Sequence, residues 1–90
     1  MEVDVYDTYA KSKQGHTIHF DVLVPRGTGA DQAFAYAQKW LTEIGEDSQV
    51  LDQSRCNFCH AEQARPHVKA DIQKQGYHIL QMEGCPESIF

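Results

Sequence analysis

The segment Cys56-Asn57-Phe58-Cys59-His60 carries the strongest chemical signal in the sequence. Two cysteines separated by two residues can turn both sulfur atoms toward one point, which is how half of a zinc site is built. Thiolate and imidazole ligands favour zinc or a similar soft cation over calcium or magnesium. The segment therefore predicts one half of a metal site, whose remaining ligands must come from elsewhere in the chain.

Two other parts of the chain could supply those ligands. Cys85 follows the last predicted strand, and His67 lies in the first turn of the second predicted helix. If the third and fourth strands are parallel neighbours, their carboxyl ends lie at the same edge of the sheet. The predicted ligands of one structural zinc ion are therefore Cys56, Cys59, Cys85 and either His60 or His67. Four protein ligands leave no open position for a catalytic water, which favours a structural role over an enzymatic one.

Three other interpretations of these thiols need to be weighed. The two motif cysteines could be small buried residues near a turn, with Cys85 a free thiol. A CxxC between a strand and a helix also resembles the thioredoxin arrangement, which makes a thiol redox module an alternative. Pro66 weakens that alternative, because it starts the helix several residues after Cys59. The segment matches the C-x-x-C-H pattern of covalent haem attachment, but the chain shows no export signal and a strand-rich pattern, so no haem is expected.

A second group of polar residues lies on the first two predicted strands and comprises Asp4, Tyr6, Thr8, His16, His19 and Asp21. The valines of the two strands share a face if Val3 pairs with Val24, and this register puts Asp7 beside Phe20. The polar residues then face away from the valines. We interpret them as the solvated face of an antiparallel hairpin rather than as a site.

Strands and helices that could position these residues follow from the periodicity of apolar side chains. Apolar and β-branched residues, which alternate most clearly over residues 16–24, predict strands at residues 2–9, 16–24, 48–55 and 77–83. An apolar stripe and helix-ending glycines predict helices at residues 31–44 and 66–75. The order β-β-α-β-α-β predicts an α+β fold, with one four-stranded mixed sheet and two helices in a two-layer arrangement.

The length and charge of the chain limit the classes of function. Ninety residues with a net charge of -5 correspond to one domain, residues 1–90, without the basic patch of a nucleic-acid binder. The sequence lacks a membrane-spanning run and a signal peptide, which predicts a cytoplasmic protein. A core this small could gain stability from a partner copy, so a metal-free dimerisation domain is a third hypothesis.

Five segments together resemble a known bacterial family: residues 5–9, 15–22, 56–60, 76–77 and 82–86. The family is catalogued as domain of unknown function "twenty twenty-four", and the C-x-F-C-H segment with the Glu-Gly-Cys ending carries the most specific part of the match. The resemblance implies a compact cytoplasmic α/β domain and brings no activity, substrate or cofactor. Cys56, Cys59, His60 and Cys85 all fall in the matching segments, which is compatible with a shared metal or thiol site.

Overall fold

A four-stranded sheet forms the centre of the computed structural model, which describes residues 1–46 and 51–82. Its strands are β1 (Glu2–Lys11), β2 (Thr17–Pro25), β3 (Cys56–Gln63) and β4 (His78–Gln81). Two helices, α1 (Ala30–Glu43) and α2 (Pro66–Gln75), connect them, and a short 3₁₀ turn (Gln53–Arg55) precedes β3. One sheet with two helices confirms the α+β class.

The prediction of a mixed sheet with β3 and β4 as parallel neighbours is wrong. The strand order is β3-β1-β2-β4, and every neighbouring pair is antiparallel. The long connection through α1 carries the chain from β2 past β1 to one edge, whereas α2 carries it back to the opposite edge. Two strands therefore separate β3 from β4, a distance of roughly 14 Å at the usual strand spacing.

The two helices cover opposite faces of the sheet, so the two-layer prediction is also wrong. Alternate residues of β2, such as Phe20 and Val22, pack in the larger core with Leu41 of α1. Leu23 points the other way and packs with Ile72 of α2 in a smaller core. Because β1 and β2 are central strands, both of their faces need cover, and one helix lies over each face.

The predicted strand over residues 48–55 is also wrong where the structure describes it. Residues 53–55 form the 3₁₀ turn, which begins where the Asp52 carboxylate accepts a hydrogen bond from the Ser54 amide at 2.9 Å. An aspartate bonded to the backbone two residues on favours a turn over a strand. The strand instead starts at Cys56, so the CxxCH motif lies inside β3 and not in a loop. Residues 48–50 of that predicted strand, and residue 83 of the fourth, lie outside the described residues.

The register of the β1–β2 hairpin differs by one residue from the prediction. Val3 lies opposite Pro25 and Asp7 opposite Asp21. The turn fixes this register, because the Ser12 amide donates to the His16 carbonyl at 2.8 Å and Gly15 adopts a left-handed φ of 92°. A shift of one residue changes which side chains meet across the strands.

The helices lie close to their predicted positions. The prediction of α2 at residues 66–75 is confirmed, and Gly76 ends it with a φ of 96°. The bounds of α1 differ by one residue at each end from the prediction. Within the two described ranges, neither helix has the length and apolar character needed to span a bilayer.

Candidate metal centre

The face of the sheet beneath α2 changes character along its length. At the end where the strands meet α2, Val3, Val5 and Leu23 are buried by that helix. Toward the hairpin turn, the next residues of the same face on β1 and β2 are Asp7 and Asp21. Strand alternation places these carboxyl groups on the same side as the valines. The apolar floor under α2 therefore continues into a polar patch.

Three side chains of this patch form a compact group. His19 Nε2 lies 2.5 Å from Asp7 Oδ1. The ligand atoms offered by Asp7, His19 and Asp21 all lie within 4.8 Å of one another. Among residues 1–46 and 51–82, this is the one group of three histidine, cysteine or acidic side chains that meets that distance. Two carboxylates and an imidazole are thus brought together by a single hairpin.

The three side chains are part-buried, which strengthens the electrostatic interactions among them. Asp21 is 8% exposed, while the side chains of His19 and Asp7 are 22% and 34% exposed. One side of the cluster rests on the sheet and the other remains accessible. This combination allows a small ion or solvent molecule to enter while limiting the screening by bulk water.

The Asp21 carboxyl group holds its proton far more strongly than a free aspartate. Its pKa is raised to about 6, first by burial and then by a hydrogen bond to Asp7 and the Asp7 charge. The nearby His19 and His60 imidazoles oppose the rise. Two carboxyl groups in contact resist ionising together without a counter-charge, so Asp21 keeps its proton below that pH.

Aromatic stacking holds the imidazole in place. The Tyr9 and His19 rings are stacked, with centroids 4.2 Å apart and planes 7° from parallel. The Arg55 guanidinium lies 5.6 Å from the centre of the Tyr9 ring. The orientation of the His19 ring is therefore fixed from one side by Tyr9 and at its edge by Asp7, which preorganises a ligand group.

An arrangement of this kind can hold either a proton or a divalent cation. Carboxylate oxygens suit hard cations, and imidazole suits zinc, iron and similar transition metals. Three protein ligands would leave at least one coordination position for water, as in catalytic rather than structural zinc sites. This patch differs in ligand type and in openness from the four-ligand thiol site that the sequence predicts.

Of the predicted thiol ligands, Cys56 is a core residue. It is 4% exposed and packs in the larger core beneath α1, and its sulfur lies 3.4 Å from the Thr8 hydroxyl. Burial raises the pKa of the Cys56 thiol more than the Thr8 hydrogen bond lowers it. This setting matches the first alternative, a small buried residue, at this one position.

Cys59 and His60 occupy a different environment at the edge of the sheet. The β1–β3 register jumps from His60 opposite Val5 to Phe58 opposite Tyr6, which leaves Cys59 as the extra residue of a bulge. Cys59 is exposed, and its sulfur lies 3.3 Å from His60 Nδ1. The other ring nitrogen of His60 lies 2.7 Å from the Glu62 carboxylate. A thiol, an imidazole and a carboxylate therefore form a short hydrogen-bonded chain.

The remaining two predicted ligands lie apart from this pair. His67 is exposed on α2, and its ring packs edge-on against His78 with centroids 5.4 Å apart. Cys85 lies outside the described residues. Within those residues, no three of the predicted ligands come within 4.8 Å of one another. The parallel-strand argument for their convergence no longer holds, and the thiol site stays a prediction that depends on Cys85.

Sequence reasoning did not group Asp7 with His19 and Asp21, and it misjudged the polar side of the hairpin. Thr8 is fully buried and Tyr6 is 5% exposed, both beneath α1, so the interpretation of a solvated face is wrong for them. Asp7, His19 and Asp21 are all odd-numbered, and the observed register places them on one face of the sheet. The predicted register, with Asp7 beside Phe20, places Asp7 on the opposite face from His19 and Asp21. A register with Asp7 opposite Asp21 would have grouped all three.

Comparisons with known proteins agree with this fold. A family model described as "Domain of unknown function (DUF2024)" matches residues 1–82. The chain belongs to this family. This match confirms the resemblance drawn from the sequence. A solved structure, the NMR structure of protein NE1680 from Nitrosomonas europaea, is 42% identical in sequence to this chain. The alignment covers 96% of this chain and 100% of that one, with a TM-score of 0.83. The search of curated proteins gave no match.

Proposed function

We propose that this DUF2024 chain binds one divalent transition-metal ion, with Zn²⁺ as the reference ion, through Asp7, His19 and Asp21. The observation that carries the proposal is the mutual distance of their ligand atoms, all within 4.8 Å. The raised pKa of Asp21, about 6, supports it, because a carboxyl group that is buried beside a second one gains most from a cation that replaces its proton. Metal binding at this site releases that proton, so the affinity depends on pH.

The proposed ion has open coordination positions. With two carboxylates and one imidazole as ligands, Zn²⁺ would keep room for water on the exposed side of the patch. A Zn²⁺ ion at this position would act as a Lewis acid on a ligand bound at its open coordination position. Tyr9 and Arg55 act on the site indirectly. The Tyr9 ring stacks on the His19 ring and fixes its plane, and the Arg55 guanidinium lies against the Tyr9 ring.

Isothermal titration of chelator-treated protein with Zn²⁺ tests this proposal. The wild-type chain is expected to bind one ion, and Asp21→Asn is expected to weaken binding at least tenfold because it removes a charged ligand. Asp31→Asn is the matched control, since it removes one acidic charge from an exposed position on α1 and should bind as the wild type does. Equal affinity for all three proteins would refute the assignment of Asp21 as a ligand.

The structural zinc site through Cys56, Cys59, Cys85 and His60 or His67 stays a separate prediction. The same titration distinguishes it, because Cys59→Ser and Cys85→Ser should abolish a thiol site and leave the Asp7–His19–Asp21 site intact. Cys56 is the least favourable of these ligands, since its buried thiol must lose a proton that burial stabilises.

A second candidate function uses the exposed thiol. The chain from Cys59 through His60 to Glu62 has the form of a nucleophile, a base and a group that orients the base. In thiol–disulfide exchange, His60 would take the Cys59 proton, and the thiolate would attack a small disulfide to form a mixed disulfide and release one thiolate. Alkylation by iodoacetamide tests this, because His60→Gln should slow the reaction of Cys59 and Thr28→Ser should leave it unchanged.

One surface of the chain could mediate the dimerisation that the sequence suggests. Strand β3 is an edge strand, and the Phe58 side chain on it is 56% exposed beside Tyr6. Exposed edge strands with a large apolar side chain favour pairing with another chain. If the chain dimerises through this edge, Phe58→Lys will convert a dimer to a monomer in light-scattering measurements.

A further inference from the structure

A cavity lies beside the proposed metal centre, on the same face of the sheet. Its volume is about 240 Å³. Leu23 and Leu80 line it from the sheet, and Arg65, His67 and Val68 line it from the start of α2. Leu23 and Val68 belong to the smaller core, which places the cavity on the face beneath α2. Drug-sized ligands occupy roughly 300–1,000 Å³, so this cavity suits a smaller molecule.

The register of the sheet joins this cavity to the metal centre. Leu80 of β4 lies directly opposite Asp21 of β2. Residues paired in this way point to the same face, with their side chains about 5 Å apart. Leu23 follows Asp21 by two residues, so it lies roughly 7 Å farther along that face. The Asp21 carboxyl group therefore borders the cavity wall that the two leucines form.

Two apolar side chains next to the metal ligands are exposed. Leu80 is 46% exposed and Met82 is 37% exposed. The Met82 amide donates to the His19 carbonyl at 3.0 Å, so Met82 lies beside His19 as Leu80 lies beside Asp21. Exposed apolar surface with polar residues at its rim commonly marks a ligand-binding groove. An apolar part of a ligand would cover these side chains.

The charged groups of the cavity favour an anion. Arg65 is exposed, and among the described residues no carboxylate forms an ion pair with it. His67 and His78 add two imidazole rings to the lining. Glu62 is the one carboxylate of the described lining, and it lies 2.7 Å from His60 Nε2. A Zn²⁺ ion at the neighbouring centre would balance the charge of the two aspartates.

We infer that the ligand of this metal centre is a small aliphatic carboxylate. The inference rests on the metal binding proposed above. The carboxylate would occupy the open coordination position, since carboxylate oxygens are common zinc ligands. The hydrocarbon chain would lie in the cavity against Leu23, Val68 and Leu80, which are about as far from the metal ligands as a short chain reaches. Arg65 favours the negative charge from the far side of the cavity.

Methyl NMR spectra of the full chain, with hexanoate as the probe, test this inference. Protein loaded with one equivalent of Zn²⁺ is titrated at constant pH and ionic strength. The Leu23 and Leu80 methyl resonances should shift saturably, with a dissociation constant on the order of 1 mM. Leu41 packs in the larger core on the other face and should not shift. Acetate lacks the chain and hexan-1-ol lacks the carboxylate, so each should bind at least tenfold more weakly.

Two pairs of variants assign the binding to the named groups, with Leu23 as the reporter. Leu80→Ser should weaken hexanoate binding several-fold, whereas Phe58→Ser, which removes an exposed apolar side chain from the opposite face, should bind as the wild type does. Arg65→Gln should also weaken it several-fold, and Lys74→Gln, with the same charge change in the last turn of α2, should not. All four positions are exposed, so the variants are expected to fold.

The metal-free protein should bind hexanoate at least tenfold more weakly than the zinc-loaded protein. Equal hexanoate affinity with and without Zn²⁺, or equal binding by Leu80→Ser and the wild type, overturns the inference. Absence of saturable shifts in protein that does bind Zn²⁺ at the aspartates overturns it as well and leaves the metal proposal standing. Failure of Zn²⁺ to bind in the isothermal titration refutes both.

Discussion

Asp7 and Asp21 lie directly opposite each other on the neighbouring central strands β1 and β2. Like charges in opposed positions destabilise a sheet, because their side chains are among the closest that strand pairing creates. The structure relieves this repulsion with the His19 imidazole and with a proton held at Asp21, whose pKa is about 6. A divalent cation would relieve it more completely, and the account of this chain as a metal-binding protein depends on that relationship.

Replacing Asp21 by asparagine is expected to stabilise the metal-free protein at neutral pH. The pKa of Asp21 is 3.8 when unperturbed and about 6 in the fold, so the unfolded chain loses this proton at lower pH than the native one. Between those values the stability of the wild type falls as pH rises, and above about pH 6 the whole penalty is present. Solvent access reduces the penalty, and we expect a gain of about 1–2 kcal/mol for Asp21→Asn near pH 8.

Urea unfolding of both proteins with a chelator present measures this gain. The advantage of Asp21→Asn should shrink as pH falls and vanish below about pH 4, where Asp21 of the wild type is protonated in both the native and the unfolded chain. An advantage that stays constant from pH 8 to about pH 4 would show that it comes from packing and not from the charge of Asp21.

Zn²⁺ is expected to raise the melting temperature of the wild-type protein in a pH-dependent way. At a free Zn²⁺ concentration of about 100 times the dissociation constant, binding adds about 2.7 kcal/mol, which corresponds to roughly 10 °C or more for a chain of this size. Because the ion competes with the proton on Asp21, its affinity should fall about tenfold between pH 7 and pH 5. Calorimetric scans at both pH values, with Asp21→Asn as the control, test this; an equal shift in the variant contradicts it.

The two described cysteines are expected to differ strongly in reactivity. Cys59 is exposed beside His60, whereas Cys56 is buried and its thiol pKa is raised. In a Cys85→Ser background, a disulfide reagent should therefore modify Cys59 at least tenfold faster than Cys56, and Cys56 should react only as the protein unfolds. Peptide mapping by mass spectrometry assigns each product. Comparable rates for the two thiols in native buffer would contradict the buried position of Cys56.

Gly76 is expected to tolerate alanine poorly. It has a φ of 96°, and a Cβ atom placed there would lie 2.7 Å from the Tyr36 hydroxyl oxygen. Gly15 has a similar φ of 92° with open space around it, so Gly15→Ala serves as the control that carries the backbone strain alone. Both variants should lose about 1 kcal/mol from strain, and Gly76→Ala should lose more. Adding Tyr36→Phe should recover part of the extra loss in thermal unfolding, and no recovery would contradict the steric explanation.

The elements with strong local signals could be predicted from the sequence. Pro66 and Gly76 mark the two ends of α2 by their own backbone restrictions, and the alternation of Ile18 with Phe20 predicts β2 without reference to the rest of the fold. The strand β3 could not be found this way. It is an edge strand in which only Cys56 is buried, so its sequence lacks the alternation that burial of one face produces.

The candidate site depended on long-range information that the sequence carries only weakly. The register of β1 against β2 decides whether Asp7 meets Phe20 or Asp21, and both registers bury valines because the two faces of the sheet are covered by separate helices. Two-sided burial removes the contrast between an apolar and a polar face that normally specifies register. The turn at residues 12–16 determines which of the two registers forms. Its hydrogen bonds could not be predicted from the residue types.

Anomalous diffraction at the zinc absorption edge, from crystals grown with one equivalent of Zn²⁺, tests the central claim most directly. The account predicts a single peak at about 2.0–2.2 Å from His19 and from carboxylate oxygens of Asp7 and Asp21. A peak bonded to Cys59 and Cys85 with none at the hairpin, or no ordered zinc at any protein ligand, would contradict it.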